Sequence, residues 1–157
     1  MIVDYVNGDL VTMLHNAQYS KTSPMVMVHG CNCQKTMGAG IARQLANFCP
    51  AIENADNRMP TPILGTYSVY NCPQFTVINM YTQAKTSRNT RQVNYAAVGK
   101  GFMTVNDIWQ GHIIYIPRIG AGLGLGNWEW IEAIINDATP DVDIVVVDFA
   151  KGIDPRL

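Results

Sequence analysis

Charge is scarce in this chain and neither sign prevails: 11 Lys and Arg face 12 Asp and Glu, for a formal net charge of −1. A protein that grips polynucleotide phosphates needs a basic surplus, so a duplex DNA or RNA binder is disfavoured. No apolar run approaches the eighteen or so residues of a membrane span, and no membrane partner is expected. The opening Met1-Ile2-Val3-Asp4-Tyr5 has no basic stretch ahead of a long apolar segment, so no signal peptide is expected. Four cysteines at irregular spacing (Cys31, Cys33, Cys49 and Cys72) are too few for a disulfide scaffold. The expectation is a cytoplasmic protein with reduced thiols.

With 48% hydrophobic residues in 157, there is enough apolar material for one ordinary core. The chain reads as one domain over residues 1–157, without internal repeat, linker or low-complexity tract. Met25-Val26-Met27-Val28, between Pro24 and Gly30, predicts a buried strand. Over 40–49, Ile41, Ala42, Leu45, Ala46 and Cys49 fall on one helical face, and Pro50 ends the helix. Segments 66–70 and 75–81 are strand-like, with a turn at Asn71-Cys72-Pro73. Helical spacing returns at Tyr95, Val98, Phe102 and Val105, weakened by Gly99 and Gly101. A strand over 112–117 leads through a glycine-rich loop to Asn127, a plausible cap for a helix carrying Ile131, Ile134, Ile135 and Ala138. Residues 143–149 read as a last buried strand. Alternating strands and helices predict a layered α/β/α fold with ligands beyond the carboxyl ends of the strands.

Three constellations stand out. In the first, Val28-His29-Gly30-Cys31-Asn32-Cys33 runs to Met37-Gly38-Ala39-Gly40-Ile41-Ala42, where the glycines open directly into the helix. Free N–H groups there suit an anion, although tight helix–sheet packing demands small residues equally well. In the second, Pro117-Arg118-Ile119-Gly120-Ala121-Gly122-Leu123-Gly124-Leu125-Gly126 places four glycines in seven residues between a strand and a helix. Two such loops at one sheet edge suggest a ligand with two phosphates, or a phosphate and a sugar. Third, Asp9 in Gly8-Asp9-Leu10 is a turn residue, a helix cap, or an acceptor for an exocyclic amine. His29, Cys31 and Cys33 alternate onto one face of an extended segment. Zinc takes three or four ligands, however, and no second Cys/His pair stands elsewhere, so no metal and no cofactor is expected. His29 reads either as a hydrogen-bonded core residue or as a group for proton transfer near neutrality. Trp128 and Trp130 are expected in the core or at its rim.

In these residues the chain resembles the macro domain family along essentially its whole length. It looks most similar to the branch holding terminal ADP-ribose protein glycohydrolase and the yeast-type ADP-ribose 1″-phosphate phosphatases. The resemblance implies a three-layer α/β/α fold around a mixed, mostly parallel six-stranded sheet, with ADP-ribose or its 1″-phosphate as the partner. It implies that Asp9 accepts from the adenine amine beside Leu10 and that Asn32 meets the distal ribose. Met37, Gly38, Ala39, Gly40 and Ile41 would flank that ribose and the diphosphate. Ile119, Gly120, Ala121, Gly122, Leu123 and Gly124 would wrap the diphosphate, with Phe149 near the adenine. The glycohydrolase's lysine and aspartate are absent: Gln83 and Gly124 stand in their places, with Lys85 two residues further on. A two-residue shift changes reach and environment, so that hydrolase chemistry is discounted. The phosphatases carry a histidine at the place of His29. The leading expectation is therefore an ADP-ribose 1″-phosphate phosphatase, with His29 as acid/base or nucleophile and Asn32 beside it. The alternatives are a reader without chemistry and a de-ADP-ribosylating hydrolase.

Overall fold

The computed structural model describes residues 1–19, 24–86 and 89–149. Along the chain lie β1 (Ile2–Gly8), α1 (Leu10–Ala17), β2 (Met25–Asn32), α2 (Gly40–Phe48), α3 (Pro50–Asn57) and β3 (Tyr67–Asn71). They are followed by β4 (Phe75–Gln83), α4 (Tyr95–Ile108), β5 (Ile113–Ile116), α5 (Trp128–Ala138) and β6 (Asp143–Phe149). The strands form one sheet in the order β1-β6-β5-β2-β4-β3. Every neighbouring pair is parallel except β3 with β4, which a hairpin joins. The expected α/β/α layering and mixed, mostly parallel six-stranded sheet are therefore present. None of the helices among the described residues is long and apolar enough to cross a membrane.

Strand parity divides the core, because successive side chains point to opposite faces. On one face Val26, Val28, Ile114, Ile116, Ile144 and Val146 pack with Val98, Phe102 and Val105 of α4 and Ile131 and Ile135 of α5. On the other, Met27, Phe75, Val77 and Val147 pack with Leu10 and Leu14 of α1, Leu45 of α2 and Ile52 of α3. The predicted stripe of α2 lies against this second face, as Ile41, Ala42, Ala46 and Cys49 join the cluster. Gly101 does not break α4: a Cβ there would stand 2.5 Å from the Met80 sulfur, so the glycine lets helix and strand touch.

Two helices lie beyond what the sequence pattern predicts, α1 and α3, each eight residues long. Helices that short are marginal on their own and form through packing. Trp130 departs from the expected core or rim position: it is 58% exposed and meets the Tyr95 ring edge-on at 5.6 Å.

Candidate functional site

Five parallel strands end at one edge of the sheet, and there the segments that follow β1, β2, β4 and β5 gather beside the end of β6. They enclose two adjoining clefts. The first, of about 450 Å³, lies over the ends of β1 and β6; Gly8, Asp9, Leu10, Gln44, Asp148 and Phe149 line it. The second, of about 510 Å³, lies over β2 and β4 and takes in both glycine loops, from Gly38 through Ile41 and from Ile119 through Gly124 apart from Ala121. Ile41, Pro117, Arg118 and Gly122 line both clefts and mark their junction. Volumes of this order suit a bound metabolite.

In the first cleft Asp9 is the N-cap of α1: Oδ1 accepts from the N–H groups of Val11 at 2.9 Å and Thr12 at 3.4 Å. Its other oxygen, Oδ2, is buried and has no hydrogen-bond partner among the described residues. An acceptor stripped of water and left unpaired costs about 1–3 kcal/mol, so it marks a place where a donor is missing. The cap and acceptor readings of Asp9 are thus compatible, since each employs a different oxygen. Leu10 is buried beside it, and Phe149 at the end of β6 is 55% exposed.

In the second cleft α2 begins without a side-chain cap, so its first-turn N–H groups are free beside Gly38, Ala39, Gly40 and Ile41. The loop after β5 folds onto itself: Gly126 N–H donates to Gly120 O at 2.7 Å and Leu125 N–H to Gly122 O at 3.1 Å. Its glycines have different reasons to be glycine. Gly120 holds φ at +77°, and a Cβ on Gly124 or Gly126 would stand 2.8 Å from Gly120 O. At Gly122 a Cβ meets nothing within 4 Å, as at Gly38. Packing within the fold therefore does not demand glycine at those two positions, and both face the second cleft.

Asn32 lines this cleft but organises its wall. Oδ1 accepts from Gln34 N–H at 2.9 Å and from the Thr36 N–H and hydroxyl at 3.4 and 3.2 Å, while Nδ2 donates to Thr36 O at 2.9 Å. Gln83 also lines the cleft, with Nε2 donating to Lys85 O at 3.1 Å; Lys85 itself is exposed and outside it. Gln44, Thr36, Thr82, Thr86 and Asp148 are lining residues that the pattern did not single out. Gln44 had a legible signal, one helical turn beyond Ile41.

Two candidates do not reach the clefts. His29 shares the parity of Met27, so it faces the layer covered by α2 and α3 and not the loop mouth; it is fully buried and lines neither cleft. One ring nitrogen lies 2.6 Å from Asn79 Oδ1, whose amide continues to Ser68 Oγ at 3.1 Å, and Tyr81 donates to Asp56 at 2.7 Å. Burial drives the His29 pKa down to about 4, partly opposed by the Asn79 hydrogen bond. The structure therefore places His29 behind the cleft wall, buried and with its proton affinity lowered, and not at the mouth of the first loop. Met37 is likewise buried, in the core cluster with Leu45 and Ile52, and does not line the site.

The ionisable side chains among the described lining residues are Asp9, Cys31, Arg118 and Asp148. Burial, then Asp56 and Cys33, push the Cys31 thiol well above its usual range. Arg118 and Asp148 are paired with each other. No group of three or more His, Cys, Asp or Glu among the described residues is placed to hold a metal ion. What the arrangement does offer is backbone N–H groups, one orphaned carboxylate oxygen and open glycine surface, which together suit binding of a polar, anionic molecule.

No protein-family model matches the chain. An uncharacterized 17.5 kDa protein from the tk-vs intergenic region of Enterobacteria phage T4 is 35% identical over 161 residues, spanning 95% of this chain and 97% of that protein. Among solved structures, the macrodomain of Mycobacterium tuberculosis DarG has 23% identity and a TM-score of 0.69, over 94% of this chain and 98% of that one. A mutant macrodomain of Oceanobacillus iheyensis, solved with ADPR, has 14% identity and a TM-score of 0.65, over 94% and 84% of the two chains. The chain thus belongs to one sequence family with the phage protein and has the fold of the solved macrodomains.

Proposed function

We propose that the paired clefts bind ADP-ribose, with adenosine in the first, the diphosphate across the junction and the distal ribose in the second. The observation that carries this reading is the unpaired Asp9 Oδ2, a buried acceptor awaiting a donor such as the adenine amine. The rest of the site fits: free N–H groups at the start of α2 and the open face of Gly122 suit phosphate oxygens. The Oceanobacillus macrodomain of the same fold was solved with ADPR.

Hydrolysis of ADP-ribose 1″-phosphate to ADP-ribose and phosphate is the finer reading. The uncapped start of α2 favours it, since those N–H groups suit charge on a phosphoryl group in the second cleft. With His29 enclosed and neutral, such turnover rests on electrostatic stabilisation of the phosphoryl charge as water attacks, and not on that imidazole. Calorimetric titration with ADP-ribose tests binding, and phosphate release from the 1″-phosphate tests the reaction. Absent binding refutes the proposal. Binding without phosphate release leaves a reader or sequestering protein, and release of ADP-ribose from a modified protein marks a de-ADP-ribosylating hydrolase.

A further inference from the structure

Among the described residues, Arg118 is the only lysine or arginine that lines the two clefts, and it stands where they meet. Its guanidinium is held on several sides. Nε donates to Asp148 Oδ1 at 2.7 Å and a terminal nitrogen donates to Asp148 Oδ2 at 3.0 Å. The Tyr5 and Trp128 rings lie 5.2 and 5.4 Å away, centroid to guanidinium carbon, and Trp128 Nε1 donates to Tyr5 Oη at 3.0 Å. β1, β6, the glycine loop and the start of α5 thus converge on one cation. The pair is 45% exposed on the arginine side and 33% on the aspartate side, so it adds little to stability. The fork with Asp148 uses two of five N–H donors, which leaves donors for another acceptor.

We infer that Arg118 is a ligand-binding residue that supplies positive charge to the diphosphate at the cleft junction, and that Asp148 is its positioning residue. This assignment rests on the ADP-ribose reading. A guanidinium fixed before binding loses little further freedom when it meets phosphate, and charge-assisted hydrogen bonds to phosphate are the stronger kind. The glycine loops accept any small polar anion of suitable shape; Arg118 adds a preference for charge between the adenosine and the distal ribose.

The test is calorimetry on the full chain with two probes, ADP-ribose and adenosine, which shares the base but carries no charge. Arg118→Gln should weaken ADP-ribose about tenfold or more, as loss of a charge-assisted contact does, and leave adenosine within about twofold. Raising salt should weaken ADP-ribose binding to the wild type more than to this variant. Arg118→Lys should fall between the two, since it keeps charge without the fork. Asp148→Asn should also weaken ADP-ribose, by several-fold, although it removes negative charge near an anion; a gain in affinity would overturn the positioning role. Equal losses for both probes would reduce Arg118 to a structural part of the first cleft, and no loss would remove it from the site. If wild type binds adenosine but not ADP-ribose, the functional reading fails, and this assignment with it.

Discussion

Replacing Asp9 by asparagine separates the two duties of its carboxylate. Oδ1 caps α1, and asparagine is as good an N-cap as aspartate, so the helix start should survive. The unpaired Oδ2 becomes an amide N–H₂, which turns an acceptor into a donor at a buried place in the first cleft. Facing the adenine amine, itself a donor, the variant has two donors opposed and no acceptor between them. A hydrogen bond to a charged group contributes roughly 1.5–3 kcal/mol, or about 10- to 150-fold in affinity. Wild type should therefore prefer ADP-ribose over its hypoxanthine analogue by at least about tenfold, because the analogue has a carbonyl where adenine has the amine. In Asp9→Asn that preference should vanish or reverse. Asp9→Ala, by contrast, also removes the cap at a cost of about 1 kcal/mol, and should lower thermal stability while narrowing the gap between ligands. Competition titrations at neutral pH, with a melting curve for each variant, read both effects. Equal binding of the two nucleotides by wild type, or an undiminished adenine preference in Asp9→Asn, would refute the assignment of Oδ2.

Gly122→Glu should leave the melting temperature nearly unchanged, since a Cβ there meets nothing within 4 Å, yet weaken ADP-ribose at least tenfold by placing bulk and negative charge at the junction. Gly120→Ala should do the reverse of that pattern in stability, losing roughly 1–3 kcal/mol in a urea titration, because φ is +77° and Val93 lies 2.5 Å from the new methyl. The histidine gives a pH prediction with a definite sign. Its folded pKa of about 4 lies below the ordinary 6.5, so between these values the unfolded chain holds more protons and stability rises with pH. The contribution is complete above pH 6.5 and is lost as pH falls toward 4, up to about 3 kcal/mol in total. His29→Gln should flatten the urea midpoint between pH 5 and 6.5, a window in which Asp148, held below the carboxylate range by Arg118, does not titrate; an unchanged slope would refute the buried-imidazole account. Any phosphate release should survive His29→Gln in proportion to the folded fraction, and a loss of 10²-fold or more in folded protein would restore an acid/base role.

What the sequence determined by itself was whatever local periodicity encodes. The apolar runs at 25–28, 75–81 and 143–149 became β2, β4 and β6, and the 3.6-residue spacing of Ile41, Leu45 and Cys49 became the buried stripe of α2. Both glycine loops stood between a strand and a helix, which was enough to place them together at the carboxyl edge of a parallel sheet. Parity along β2 was legible too, since Met27, His29 and Cys31 had to share a face, but not which layer would cover it. That depended on α3, whose eight residues carry too little periodicity to announce a helix. The same limit held for Met37, drawn into the core by Leu45 and Ile52, and for the glycines, identical in sequence but different in what a Cβ would strike. Arg118 and Asp148 are 30 residues apart and meet only because β5 and β6 pair in register. Hydrophobic spacing records the burial of each element one at a time; the orphaned oxygen of Asp9 and the fork on Arg118 are relations between elements, and only the assembled sheet fixes them.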